Sequence, residues 1–138
     1  MAVSDATLPL QAAVVAALKA NAAVAAIVGT RIYDNPAGDA AKPYISIGPS
    51  DLVPDDADGI EAAEITMQID GWSDTPTSVQ VKQVGAAIRA ALHHAELTLP
   101  DDQRLVFLEA DNTRYLTEPD GLTRHVAVSL RALTEPIA

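Results

Sequence analysis

The sequence predicts an α+β protein: helices packed on one face of a mainly antiparallel, mixed sheet. Three observations point there. The elements run in the order bent helix, two short strands, long strand, helix and hairpin. Within the strand read from Glu61 to Trp72, the pattern alternates strictly from Ala63 onward. Ala63, Ile65, Met67, Ile69 and Gly71 share one face; Glu64, Thr66, Gln68, Asp70 and Trp72 share the other. That is the pattern of a strand buried on one side. Val81, Val84, Ile88, Ala91 and Leu92 then fall on one stripe of a helix, with Gln80, Lys82, Gln83 and Arg89 outside it.

Taken in order, Met1 to Thr7 reads as a loose leader. Pro9 suits a helix's first turn, where its missing N–H is no loss. Leu10, Val14, Ala17 and Leu18 line one face of that helix. Asn21 caps a shorter helix that buries Val24, Ile27 and Val28 and stops at Gly29. The N-terminus is therefore a bent helical pair from Pro9 to Val28. Arg31 to Tyr33 reads as a short strand, and Asp34 to Lys42 as a loop. Pro43 to Gly48 reads as a strand opened by proline, which favours an edge position or a strand's first residue. Ser50 to Gly59 reads as an acidic loop. Thr75 as N-cap and Pro76 as first helical residue start the helix that runs to His93 and His94. Leu97 to Arg104 is a connection. Leu105 to Leu108 is apolar on both faces and reads as a central strand, with Asp111 to Leu116 extending it outward. Glu118-Pro-Asp-Gly121 makes a turn. Arg124 to Leu133 returns as a strand with Val126, Val128 and Leu130 inward, and Pro136 stops it.

The whole chain, 1–138, reads as one domain. A chain of this length buries roughly two-thirds of its unfolded surface. Only 4% of residues are aromatic, so Val, Ile and Leu must build the core, which leaves room for stabilisation by oligomerisation. A net charge of −10 argues against gripping nucleic acid, which needs clustered Lys and Arg. It is compatible with a protein that lets DNA pass without sticking. Cysteine is absent, so disulfide and thiol chemistry are excluded. No signal peptide is expected, and the chain fits a cytoplasmic origin. Val14 to Val28 is too short, and too interrupted by Lys19 and Asn21, to span a membrane.

Each candidate for chemistry meets a plainer reading. Setting Gly59 as the invariant glycine of a calcium loop puts Pro54 at the first ligand position and Ile65 at the twelfth, and neither ligates. The loop reads as a solvated acidic one. His93 and His94 are neighbours that point about 100° apart on a helix, a poor metal pair. A helix C-terminus instead favours partly charged histidine. His125 has no spacing relation to them. No Gly-x-Ser-x-Gly is present, and Gly29, Gly38, Gly48 and Gly59 are isolated rather than gathered in a phosphate loop. With 19 acids in 138 residues, chance carboxylate pairs are expected. Catalytic, metal and cofactor-binding residues are therefore expected to be none. Trp72 either packs over the start of the helix or serves as an interface anchor. Arg114, Tyr115, Glu118 and Arg124 mark the last hairpin, which is either solvated or an assembly arm.

Four stretches carry a family resemblance: Leu10 to Tyr33, Pro43 to Gly48, the alternating strand ending in Gly71-Trp-Ser73, and Glu118-Pro-Asp-Gly-Leu-Thr-Arg-His125 with its following strand. In this order and spacing the chain resembles the tail-completion, or tail-terminator, proteins of long-tailed phages and gene transfer agents. The alanine-rich first helix departs from the family in bulk while keeping its pattern. The resemblance implies a structural virion protein rather than an enzyme. It would form a homo-hexameric ring that caps the finished tail tube, at the neck end of a virion assembled in the host cytoplasm. Its partners would be further copies of itself, the tail tube protein and the head–tail connector or stopper, with DNA passing through the bore without specific binding. The alternatives are a head–tail joining subunit, or a small acidic enzyme or ligand-binding domain. From position alone, Asp55, Asp56, Asp58 and Glu61 in the acidic loop, with Arg114, Tyr115, Glu118 and Arg124 in the hairpin, are the candidate interface residues.

Overall fold

The computed structural model describes residues 5–56 and 61–137. Three helices and five strands follow in order: α1 (Thr7–Ala20), α2 (Ala22–Val28), β1 (Ile32–Tyr33), β2 (Tyr44–Pro54), β3 (Ala63–Ser73), α3 (Val79–Leu92), β4 (Gln103–Thr117) and β5 (Arg124–Pro136). The strands form one mixed sheet in the order β1-β2-β3-β5-β4. β1 runs parallel to β2, and every other pairing is antiparallel. This is the α+β architecture the sequence predicts.

The N-terminal helices bend as expected. α1 and α2 meet at 79°, and no single described helix is long and apolar enough to cross a membrane. Pro9 lies in the first turn of α1. The Asn21 side chain accepts the Val24 N–H at 3.0 Å, which caps α2. Leu10, Val14 and Leu18 of α1 and Val24 and Val28 of α2 are buried with Ile65, Met67 and Ile69 of β3 and Val126, Val128 and Leu130 of β5. Burying each of these aliphatic side chains contributes about 1.5–3 kcal/mol before entropy is counted.

α3 presses on the sheet where side chains are missing. A Cβ on Gly71 would sit 2.6 Å from Val84 Cγ1 and 2.7 Å from Val126 Cγ1. A Cβ on Gly85 would meet the Tyr115 hydroxyl and Val126. The two glycines let the helix axis come close to β3 and β5, and the buried Val81, Val84, Ile88 and Leu92 fill the space on either side.

Four local expectations are corrected. β2 does not stop at Gly48. After a bulge between Ile47 and Ser50, it continues to Pro54 and pairs Leu52 with Ile65 and Pro54 with Ala63. Its outer half is polar or exposed, so hydrophobic pattern alone hid it. Leu105 to Leu108 is not central, because β4 is an edge strand and β5 lies between it and the middle strand β3. Its second apolar face has a different cause: Val106 is exposed, and Phe107 lies 5.0 Å under the Arg131 guanidinium. α3 starts at Val79, after Ser78, instead of at Pro76. The Thr75 hydroxyl is drawn to Ser73 Oγ at 3.1 Å, and the Ser73 hydroxyl donates to Gln80 Oε1 at 2.7 Å. Those bonds hold Thr75 and Pro76 in a turn, so Thr75 cannot cap the helix. Finally, the His93 and His94 rings do not diverge. The helix ends at Leu92, His94 takes φ 61°, and the rings stack 3.8 Å apart.

Gly71→Ala is expected to destabilise the fold by about 1–3 kcal/mol, as overpacking does. Urea unfolding measures this. In a cycle with Val84→Ala, the double variant should lose less than the sum of the singles, because the missing valine methyls relieve the clash.

Candidate assembly surface

All three helices cover one face of the sheet, which leaves the other face to solvent. Strand register arranges that outer face in rows. Tyr44, Trp72, His125 and Leu116 lie side by side across β2, β3, β5 and β4. Ser46, Asp70, Ala127 and Arg114 form the next row. Further along, Arg131 of β5 bridges Glu109 of β4 at 3.0 Å and Glu64 of β3 at 3.5 Å.

Trp72 resolves against packing over the helix start. Its indole lies flat on the outer face, stacked on His125 at 4.0 Å with the rings 6° apart, and Nε1–H donates to Ser46 Oγ at 3.0 Å. The Tyr44 ring extends this strip at 6.3 Å from Trp72, and Tyr33 meets Tyr44 edge-on at 5.6 Å.

His125 is the residue that sequence reading undervalued. Nε2 lies 2.6 Å from Asp70 Oδ1, and Nδ1 lies 3.0 Å from Glu118 Oε1. A neutral imidazole has one N–H and satisfies only one carboxylate; an imidazolium donates to both. Burial works against the charged form, yet the hydrogen bond and charge of Asp70, and then Glu118, raise the His125 pKa above its ordinary value. Asp70 is itself buried and takes a further 2.8 Å bond from the Gln68 amide. With both ring nitrogens engaged, His125 has no lone pair to offer as a base. The cluster ties the hairpin turn, through Glu118, to β3. Half of it was within reach of sequence, because a Pro-Asp-Gly turn brings Glu118 back toward His125. Asp70 needed the β3–β5 register, which no local pattern gives.

The turn between β4 and β5 is well built. Asp120 accepts the backbone N–H groups of Leu122 and Thr123, both at 2.8 Å, and the Thr123 hydroxyl at 2.7 Å. The Thr123 bonds, then the Leu122 bond and the Lys42 charge, hold its carboxyl below the usual range. Gly121 supplies the positive φ of 71° that the turn requires. At the far end of α3, desolvation and then the charges of His94 and Arg89 lower the His93 pKa. His93 is thus neutral rather than partly charged, and its Nδ1 accepts the Ala110 N–H of β4 at 3.0 Å.

The eight candidate interface residues fall into two separated groups. Asp55 and Asp56 follow β2 and Glu61 precedes β3, all exposed; Asp58 lies outside the described residues. The hairpin group stands toward the other end of the 11-residue β3, from roughly 25 Å away at Arg114 to roughly 35 Å at Arg124, at about 3.3 Å per residue. Within it, Glu118 is committed to His125. Arg124 donates to the Pro76 carbonyl at 3.0 Å and faces Thr117 Oγ at 3.4 Å, which pins the hairpin to the turn before α3. The Tyr115 phenol fills the gap above Gly85, where burial raises its pKa. Arg114 projects from the outer face.

The described surface thus offers an open sheet face, an exposed hairpin turn at one end and exposed acids at the other. The chain belongs to the family described as tail completion protein gp17, whose model matches residues 12–135. Among solved structures, it is similar to a chain of the virion of a native gene transfer agent particle, with 33% identity, a TM-score of 0.85, and coverage of 91% of this chain and 94% of that one. It also shares its fold with the gp17 protein of bacteriophage SPP1, at 22% identity and a TM-score of 0.62, over 92% of this chain and 89% of that one. No curated protein matches it in sequence. The expected relationship is therefore shown, and with it a structural role in tail assembly.

The raised His125 pKa carries a definite sign. Its contribution to stability is fully present below the unfolded value of about 6.5 and is lost as pH rises through the higher folded value. Urea-unfolding free energy should fall across that window in the wild type and stay flat in His125→Gln. Trp72 fluorescence follows the same titration.

Proposed function

We propose that this protein is a tail terminator. Copies assemble head to tail into a ring, six-fold as in the proteins it resembles, that closes the tail tube when the tube reaches its length. The ring then presents a surface to the head connector, and DNA passes through its bore. The observation that carries this reading is the similarity, over nearly the full length of both chains, to a component of a gene transfer agent virion. The geometry is compatible. A ring needs two different patches on each subunit, and the acidic loop and the hairpin end lie well apart on the sheet. A net charge of −10 disfavours any firm grip on passing DNA. The same reading places the protein at the neck end of the tail, next to the tube protein and the head–tail connector. It treats the chain as one domain acting without catalysis.

Deleting the protein from its parent particle tests the role. The expected result under the electron microscope is tails of uncontrolled length with no heads attached. Tails of normal length joined to heads sink the terminator reading, while normal-length tails without heads point to a joining subunit instead.

A further inference from the structure

The fold leaves one cation of the open sheet face without a task. Arg31 donates to the Pro43 carbonyl at 2.8 Å. Arg104 pairs with Glu135, Arg124 ties the hairpin to Pro76, and Arg131 spans Glu64 and Glu109. Arg114, directly opposite Ala127, has no hydrogen bond or ion pair among the described residues. It borders a shallow depression whose other walls are Gln68, Asp111 and Asn112 and whose floor is Ala127 and Ser129. The small floor residues make the hollow. The guanidinium fork, the Asn112 amide and the Ser129 hydroxyl are donors suited to a carboxylate. Asp111 at the rim weighs against a more highly charged anion such as phosphate.

The same chain carries the complementary group. Asp55, Asp56 and Glu61 are exposed, and none has a side-chain ion pair among the described residues. They belong to the β2–β3 end, whereas Arg114 is on β4 across the sheet. Asp70, in the Arg114 row, lies seven positions along β3 from Ala63, so roughly 25 Å separates the two sites at about 3.3 Å per residue and 4.8 Å per strand. One copy cannot close that gap on itself, but a second copy can. Edge pairing along β2 beyond its short partner β1 is a poorer route, because Pro49 and Pro54 have no N–H to offer a neighbour.

We propose that the depression around Arg114 receives the exposed acids Asp55, Asp56 and Glu61 of a neighbouring copy, as the polar contact of the head-to-tail interface. This rests on the ring reading above. Charge reversal tests it in cells producing the parent particle, counting head-joined tails of normal length. Arg114→Glu alone, and Asp55→Lys with Asp56→Lys and Glu61→Lys, should each reduce that count by about tenfold or more, since like charges facing across an interface cost several kcal/mol. Combining all four should restore it to within about threefold. These side chains are exposed, so the purified variants should keep the wild-type urea midpoint, which separates an assembly defect from a folding one. Wild-type counts with Arg114→Glu, or no restoration in the combination, overturn the pairing. If deleting the whole protein leaves head-joined tails intact, the ring reading itself fails. If deletion acts and the reversals do not, only this contact falls.

Discussion

Helix α3 rests on the sheet through two positions that lack side chains. Gly71 on β3 and Gly85 on the helix clear the space that Val84, Val126 and Tyr115 then occupy. Close approach draws Val81, Ile88 and Leu92 fully into the core, and α1 and α2 pack beside them. Layering follows from this: with every helix on one side, the other side of a five-stranded sheet is left bare. A protein whose work is contact with other chains can use such a face, because its rows of side chains are held by strand register rather than by loops.

Charge on that face is sorted by whether the fold consumes it. Asp70, His125 and Glu118 form a closed set in which an imidazolium answers two carboxylates, with Trp72 stacked on it. Arg131 answers Glu64 and Glu109. Such groups order the sheet surface and the hairpin. Removing one partner of a buried set leaves an uncompensated charge, which is why they belong to the structure of the subunit. Arg114, Asp51, Asp111 and the acids flanking the β2–β3 loop are exposed and have no ion pair among the described residues. With 9 Lys and Arg against 19 Asp and Glu in the chain, an arginine left without a partner among the described residues is a rarer observation than an aspartate left so.

The long β4–β5 hairpin ends level with β3, so only its turn extends past the sheet. β5 pairs with β3 along eleven positions and with β4 on its other side. The turn is closed by Asp120 and Gly121, and Arg124 fastens it to the segment before α3. The hairpin end is hydrogen-bonded on several sides without being buried. That suits a contact surface, because little entropy remains to be lost when a partner binds.

Periodicity made the helices, the strand β3 and the Pro-Asp-Gly turn legible, because 3.6-residue and two-residue repeats report burial on one side. The order of those elements, with a few local motifs, was enough to place the chain among tail-completion proteins. Lateral neighbours were not legible. The polar half of β2 carried no hydrophobic signal, and β4 was read as central because its doubly apolar run does not reveal that Phe107 is covered by Arg131 and not by another layer. Hydrogen bonds outweighed propensity at Thr75 and Pro76, where Ser73 and Gln80 hold a turn. The sequence by itself determined the layers and the buried stripes, since each rests on local spacing, and its resemblance to known proteins pointed to the family. Only the tertiary structure decided that β5 lies between β3 and β4, that His125 meets Asp70 from fifty-five residues away, and that Arg114 has no ion pair among the described residues. Those outcomes depend on strand register between distant segments, which one-dimensional patterns do not encode.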